Sequence, residues 1–242
     1  MKLSIHPTVA AANAAAADRL ANSLPLPTTR NVMVAAGNTP LELYRLIAEK
    51  RRSLAHLRIF ALDEYVGVPL EEPRNCTNLL RCCVAEAWGI PPSQFHTVSS
   101  SEQNALASVQ SHERLISEAG GLDLIILGLG QNGHLGFNEP GSAEDSVGRL
   151  LDLEPISIAA NGKWFGGDLA PAKGVTVGMK TVLSARRVLI LAYGDHKTAA
   201  VTAMVEGRRG PHCPASLLQG HPDVEVFLDA SAAANLSSRG VG

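Results

Sequence analysis

The sequence has no excess of either charge: 21 Lys and Arg stand against 23 Asp and Glu, for a formal net charge of −2. A protein that grips nucleic acid by its phosphates, or spreads on an anionic membrane, needs a basic surplus, and none is present. Cysteine is scarce. The four residues Cys76, Cys82, Cys83 and Cys213 lack paired metal-ligand spacing, and Cys82 and Cys83 are adjacent in a helical pattern, which argues against a disulfide framework. They read as small packing residues in a reducing, cytoplasmic setting. No apolar run approaches the ~20 residues of a membrane helix. The alanine-rich start is interrupted by Asn13 and by Asp18-Arg19, too polar for the apolar region of a signal peptide. Residues 1–24 are instead expected to form an amphipathic first helix. No repeat, charge block or low-complexity linker divides the 242 residues, so one domain spanning 1–242 is expected.

What is present is an alternation of short apolar runs and helical patterns. Residues 31–36, 57–62, 122–127, 187–192 and 224–228 read as buried strands, and 40–54, 77–88, 103–119 and 197–206 as helices. That order predicts an α/β fold with a mainly parallel sheet covered by helices on both faces. In such sheets ligands bind outside the carboxyl ends of the strands, so those ends are where chemistry is sought. Residues 144–173 mix glycine, proline and charge, are the least regular stretch, and are a candidate lid. The last six residues, 237–242, are expected to fray.

Four strand ends carry suggestive residues. After the first comes Ala35-Ala-Gly-Asn-Thr-Pro40: Thr39 suits a helix N-cap and Pro40 the first turn. Gly37 and Asn38 would let the backbone approach an anion at the positive end of that helix, although a plain capped turn fits the same residues. No Gly-Lys-Ser/Thr follows, so this is not a nucleotide-binding P-loop. The second ends in Leu62-Asp-Glu-Tyr65, where one carboxylate is expected to be solvated and the other to be a candidate base near the cleft floor.

The third ends in Gly130-Gln-Asn-Gly-His-Leu-Gly-Phe-Asn-Glu-Pro140. His134 and Glu139 could pair, the carboxylate orienting the imidazole and stabilising its charge. Gly130, Gly133 and Gly136 imply backbone drawn tightly around a ligand. The fourth runs into Tyr193-Gly-Asp-His-Lys197. A lysine in the first turn of a helix is disfavoured by the dipole, unless it shares an anion with the first-strand loop; a surface lysine is the plain alternative.

Taken in order, four motifs resemble those of the amino-sugar-6-phosphate deaminase (isomerase) family, which shares its fold with 6-phosphogluconolactonases. They are Gly-Asn-Thr-Pro at 37–40, Leu-Asp-Glu-Tyr-Val-Gly at 62–67, the His-to-Pro segment at 130–140, and Gly-Asp-His-Lys at 194–197 leading to Val205-Glu-Gly207. The similarity extends to the late Pro214-Ala-Ser-Leu-Leu-Gln-Gly-His221 and so covers nearly the whole chain. It implies a Rossmann-like fold and a reaction without metal or cofactor. In that reaction a 2-amino-2-deoxyhexose 6-phosphate opens its ring, isomerises from aldose to ketose and releases ammonia. By position, Asp63 would move the C2 proton, and His134, held by Glu139, would serve ring opening. Gly37, Asn38, Thr39 and Lys197 would hold the phosphate. Lys163 stands where many relatives carry arginine, and a lysine offers a point charge without the bidentate fork.

The sequence departs from the family pattern in three places. Asn132 is Asp in some members; as Asn it can hydrogen-bond a ring nitrogen but adds no charge. Asn75-Cys-Thr-Asn-Leu-Leu80 lacks the Ser-Tyr of typical glucosamine-6-phosphate deaminases and leans towards galactosamine-6-phosphate enzymes. The stretch 144–151 keeps Arg149 without the basic pattern of allosteric members, so no N-acetylated sugar phosphate effector site is expected. The chain is short beside the allosteric hexamers, which favours a monomer. Two other readings stand beside the deaminase. A 6-phosphogluconolactonase would share the Gly-His but lack the Asn-Glu-Pro continuation. A sugar-phosphate sensor of a transcription regulator would carry a basic DNA-binding segment, and nothing before Asn31 has the length or charge for one. The expected partner is therefore a small sugar phosphate, with neither nucleic acid nor membrane.

Overall fold

A computed structural model describes residues 1–237; residues 238–242, most of the tail expected to fray, lie outside the described residues. Strand β1 (Lys2–His6) precedes helix α1 (Val9–Ala21), and β2 (Asn31–Val34), α2 (Leu41–Glu49) and β3 (Arg58–Ala61) follow. A short β4 (Asp63–Tyr65) leads to α3 (Cys76–Leu80), which continues as a π-helical turn over Arg81–Glu86, and then to β5 (Phe95–His96). Next come α4 (Ala105–Glu118), β6 (Leu124–Gly128), β7 (Arg149–Asp152), α5 (Pro155–Trp164) and β8 (Lys173–Thr176). The last elements are α6 (Met179–Leu183), β9 (Val188–Ala192), α7 (Thr198–Val205) and β10 (Val224–Asp229).

Seven strands pair in parallel in the order β1-β10-β9-β6-β2-β3-β5. Successive side chains of a strand point to opposite faces, and the apolar runs exploit this on both sides. Val32, Val34, Ile59, Ala61, Leu124 and Ile126 pack into one core with α1 and α2. Met33, Phe60, Ile125, Leu127, Ile190 and Val226 pack into the other with α4, α6 and α7. Each fully buried aliphatic side chain contributes roughly 1.5–3 kcal/mol, so this division commits every central strand to one register. The α/β architecture is the one expected.

Two parts of the fold differ from expectation. The N-terminal residues form an edge strand before they form a helix: Leu3 and Ile5 pack on the core, and the strand pairs in register with β10. The alanine-rich run gives the stronger sequence signal and masks a short, half-exposed strand beside it. The stretch 144–173 is not irregular either. It supplies β7, α5 and the start of β8, and β4, β8 and β7 form a separate antiparallel sheet. Leu62 joins the two sheets, because its N–H bonds the Val34 carbonyl (3.1 Å) and its carbonyl accepts from Val177 (3.2 Å).

Candidate active site

From β6 the sheet grows in two directions: β2, β3 and β5 lie on one side, β9, β10 and β1 on the other. The loops leaving β2 and β6 diverge at this switch point, where open α/β sheets accommodate ligands. A cleft of about 690 Å³ opens there, lined by the loop 35–40, the loop 128–137, Asp63, the face of α5 and the 196–197 turn. All the sequence-predicted site residues line it except Asn132 and Glu139, which stand behind His134.

Asp63 begins β4, the point at which the chain leaves the main sheet. It is buried at 6% exposure, faces the cleft, and accepts no hydrogen bond among the described residues. Burial first, and the neighbouring Glu64 charge second, push its carboxyl up to about 8. A Cβ at Gly136 would come within 3.0 Å of Oδ2, and the φ of +60° there favours glycine, so the β6 loop can lie directly against the carboxylate. Neither carboxylate is solvated, contrary to expectation. Glu64 is fully buried and turns away from the cleft to accept from the amides of Tyr65, Cys76 and Thr77 (2.8, 3.0 and 2.8 Å). It ties β4 to the start of α3, and burial raises its carboxyl against the pull of those amides.

His134 and Glu139 pair through Nδ1 and Oε2 at 3.2 Å. Glu139 is buried, which opposes its charge, yet hydrogen bonds from His134, Ser157 and Asn132 outweigh burial and hold its carboxyl down at about 2. An ionised carboxylate can only accept, so Nδ1 carries the proton in this pair and Nε2 is left as the free ring nitrogen. The ring lies on Gly130, where a Cβ would sit 2.4 Å from Nε2; any side chain at 130 would displace it. Asn132 does not reach a ring nitrogen as expected. Its Nδ2 donates to Glu139 Oε2 (2.7 Å), and its Oδ1 accepts from the His134 amide (3.3 Å), which fixes the loop that carries both partners. Asn138 is structural: its Nδ2 donates to the Leu135 and Val177 carbonyls, and its Oδ1 accepts from Arg149.

The same cleft also carries basic and open-amide groups. Gly37, Asn38 and Thr39 lead into α2, but Thr39 is not its N-cap: Pro40 holds that position and makes no side-chain cap. The first amides of α2 are therefore left without a side-chain acceptor, as a bound anion would require. Thr39 touches the Gly128 position, and the Tyr44 hydroxyl donates to the Ala35 carbonyl (2.8 Å), so both switch-point loops are braced. Lys197 precedes α7 rather than lying in its first turn. It is half-buried, its amine pulled down by desolvation, with no acidic partner among the described residues. Lys163, near the end of α5, is exposed on the same cleft.

The lining also includes Ser157, Tyr65 and Cys76, none of which was expected as a site residue. Ser157 on α5 lies 3.4 Å from His134 Nδ1. Tyr65 donates to Asn161 Oδ1 (3.0 Å) and stacks edge-on against Phe165, holding α5 to β4. Cys76, buried beneath Asp63 and Glu64, has its thiol pushed up by burial and by those two charges. Tyr65 sits inside the Leu-Asp-Glu-Tyr motif and could have been read there; Ser157 had no spacing to betray it. The cysteines are all free. Among the described residues, no group of three or more His, Cys, Asp and Glu side chains gathers as metal ligands, and no helix is long and apolar enough to cross a membrane.

Fold and site together define a Rossmann-like α/β protein with an acid-and-imidazole cleft at its switch point, closed by a basic rim. The model of the glucosamine-6-phosphate isomerase/6-phosphogluconolactonase family matches residues 6–227. A glucosamine-6-phosphate deaminase of Cutibacterium acnes is 40% identical over 227 residues, covering 92% of this chain and 87% of that protein. One from Streptomyces coelicolor is 38% identical, covering 98% and 93%. Among solved structures, a monomeric glucosamine-6-phosphate deaminase superposes with a TM-score of 0.92 at 30% identity, covering 97% of this chain and 99% of that one. A 6-phosphogluconolactonase from Trypanosoma brucei, at 21% identity and TM-score 0.77, shares the fold over 98% of both chains. The chain belongs to the glucosamine-6-phosphate isomerase/6-phosphogluconolactonase family.

Proposed function

We propose that this protein converts a 2-amino-2-deoxyhexose 6-phosphate, glucosamine-6-phosphate in the first place, to a ketohexose 6-phosphate and ammonia. The observation that carries the reading is a buried Asp63 facing the same cleft as a His134–Glu139 pair and two lysines, with neither Asp63 nor the lysines having an ionic partner among the described residues. The phosphate is held by the open end of α2 with Gly37, Asn38 and Thr39, by Lys197 and by Lys163. Anchoring there orients the reacting carbons at the far end of the sugar.

His134 Nε2 takes the proton of the anomeric hydroxyl and returns one to the ring oxygen, which opens the ring. Asp63 then removes the C2 proton while C1 oxygen gains one, giving an enolamine. Reprotonation at C1 makes the C2 iminium, water adds, and ammonia leaves the ketose. A carboxyl at about 8 suits the base, because a proton acceptor works best with a pKa near the operating pH. The curated relatives named glucosamine-6-phosphate deaminases support the gluco substrate; Cys76 beneath the site is the feature that argues for galacto.

The test is ammonia and ketose phosphate measured side by side from glucosamine-6-phosphate and galactosamine-6-phosphate. Equal amounts of both products from the gluco sugar are expected. Products from the galacto sugar alone would reassign the substrate. Hydrolysis of 6-phosphogluconolactone with no ammonia from either amino sugar would overturn the reading.

A further inference from the structure

Helix α5 is joined to both halves of the acid machinery. Near its start, the Glu154 amide donates to Glu139 Oε1 (3.4 Å), and the Ser157 hydroxyl lies 3.4 Å from His134 Nδ1, the ring nitrogen that faces Glu139. Near its end, Asn161 accepts from Tyr65, two residues along β4 from Asp63, and Lys163 follows. Ser157 is 5% exposed. A hydroxyl buried that deeply needs a partner, and it does not cap its own helix, whose N-cap Glu154 makes no side-chain bond. Its contact, His134 Nδ1, lies on a different segment of the chain, in the His-to-Pro loop.

We propose that Ser157 is a positioning residue: its hydroxyl contacts His134 Nδ1 beside Glu139, keeping the ring in place with Nε2 as the proton acceptor and tying the imidazole to the docked position of α5. The proposal rests on the ring-opening role given to His134 above. Without Ser157, Glu139 retains Asn132 and the Glu154 amide, so it stays ionised. The imidazole loses its side-chain contact from the helix over the cleft. The ring is then free to swing off Gly130 and to exchange tautomers. Because Lys163 rides on the same helix, docking of α5 by a phosphate at one end fixes the imidazole at the other.

The test compares Ser157→Ala with Ser157→Thr in steady-state turnover of glucosamine-6-phosphate, together with the imidazole 15N spectrum of His134. Ser157→Ala should lower kcat by about 10- to 100-fold, the scale of a misplaced catalytic group, with KM within twofold of wild type. Ser157→Thr, which keeps the hydroxyl, should restore most of the loss. In the spectrum, the wild type should show a protonated Nδ1 and an unprotonated Nε2, and Ser157→Ala a mixture. An alanine variant with unchanged kcat and an unchanged spectrum overturns the proposal, as does a threonine variant no better than alanine. If the wild type releases no ammonia, the deaminase reading falls. The spectrum then still decides: a shift in Ser157→Ala supports the positioning role, and an unshifted spectrum removes it.

Discussion

Asp63 and Glu139 are two buried carboxyls pushed in opposite directions, and the difference lies in their donors. Asp63 has none among the described residues, so burial and Glu64 hold it at about 8; Glu139 has several, which outweigh burial and hold it at about 2. Between 3.8 and about 8, folded Asp63 keeps a proton that the unfolded chain has lost. Stability therefore falls as pH rises through that window, at up to about 1.4 kcal/mol per pH unit. Asp63→Asn removes the penalty: it should abolish turnover and yet melt higher than wild type at pH 9, with the gap closing towards pH 4. A variant that melts lower at pH 9 would mean that the carboxylate is stabilised in the fold. Glu139 has the reverse sign. Its contribution is complete above 4.5 and is lost as pH falls through about 2, so Glu139→Gln should lower the neutral-pH melting temperature. Sequence motifs named both residues but could not separate their states. Asp63 and Glu64 are neighbours, and only strand alternation sends one to the cleft and the other to three amides.

Helix α5 is the element the sequence reading placed least well, and the reason is physical. Pro155-Ile-Ser-Ile-Ala-Ala-Asn-Gly-Lys-Trp164 has apolar residues on several sides and a glycine inside, so no single stripe marks it as amphipathic. Its position comes from contacts distant in sequence: Tyr65 with Asn161 and Phe165, His134 with Ser157, and Glu139 with Glu154. β1, β4, β7 and β8 were missed for a related reason, since strands of three to five residues leave too short an alternation to read. The central strands, by contrast, are apolar on both faces and were legible. Tyr65→Phe tests the α5 attachment while keeping the ring stack on Phe165. It strands the Asn161 oxygen at a cost of about 1–3 kcal/mol. KM for the sugar phosphate should rise several-fold through the loosened Lys163, and the melting temperature should fall by roughly 2–10 °C. A fall in kcat with KM intact would place Tyr65 in the chemistry instead.

Across the whole molecule, the parallel sheet gathers charge of opposite sign at one edge and leaves the basic half unsatisfied. Lys197 has no acidic partner among the described residues and is depressed by desolvation, and α2 begins at the cleft-lining Pro40 without a side-chain cap. Such a site costs the free protein stability, which an anion restores by binding only the folded state. Two effects of opposite sign follow for Lys197→Met, which keeps the aliphatic stem and removes the charge. Without ligand it should melt slightly higher than its parent. With glucosamine-6-phosphate it should lose most of the stabilisation. The measurement is best made in an Asp63→Asn background, where no turnover consumes the ligand. There, a concentration 100 times Kd contributes about 2.7 kcal/mol, or roughly 5–10 °C for a chain of this size. Glucosamine without the phosphate should give little shift in either protein. Equal shifts from the phosphorylated and unphosphorylated sugars would show that the basic rim does not hold the phosphate, and would move the anchor elsewhere along the sheet edge.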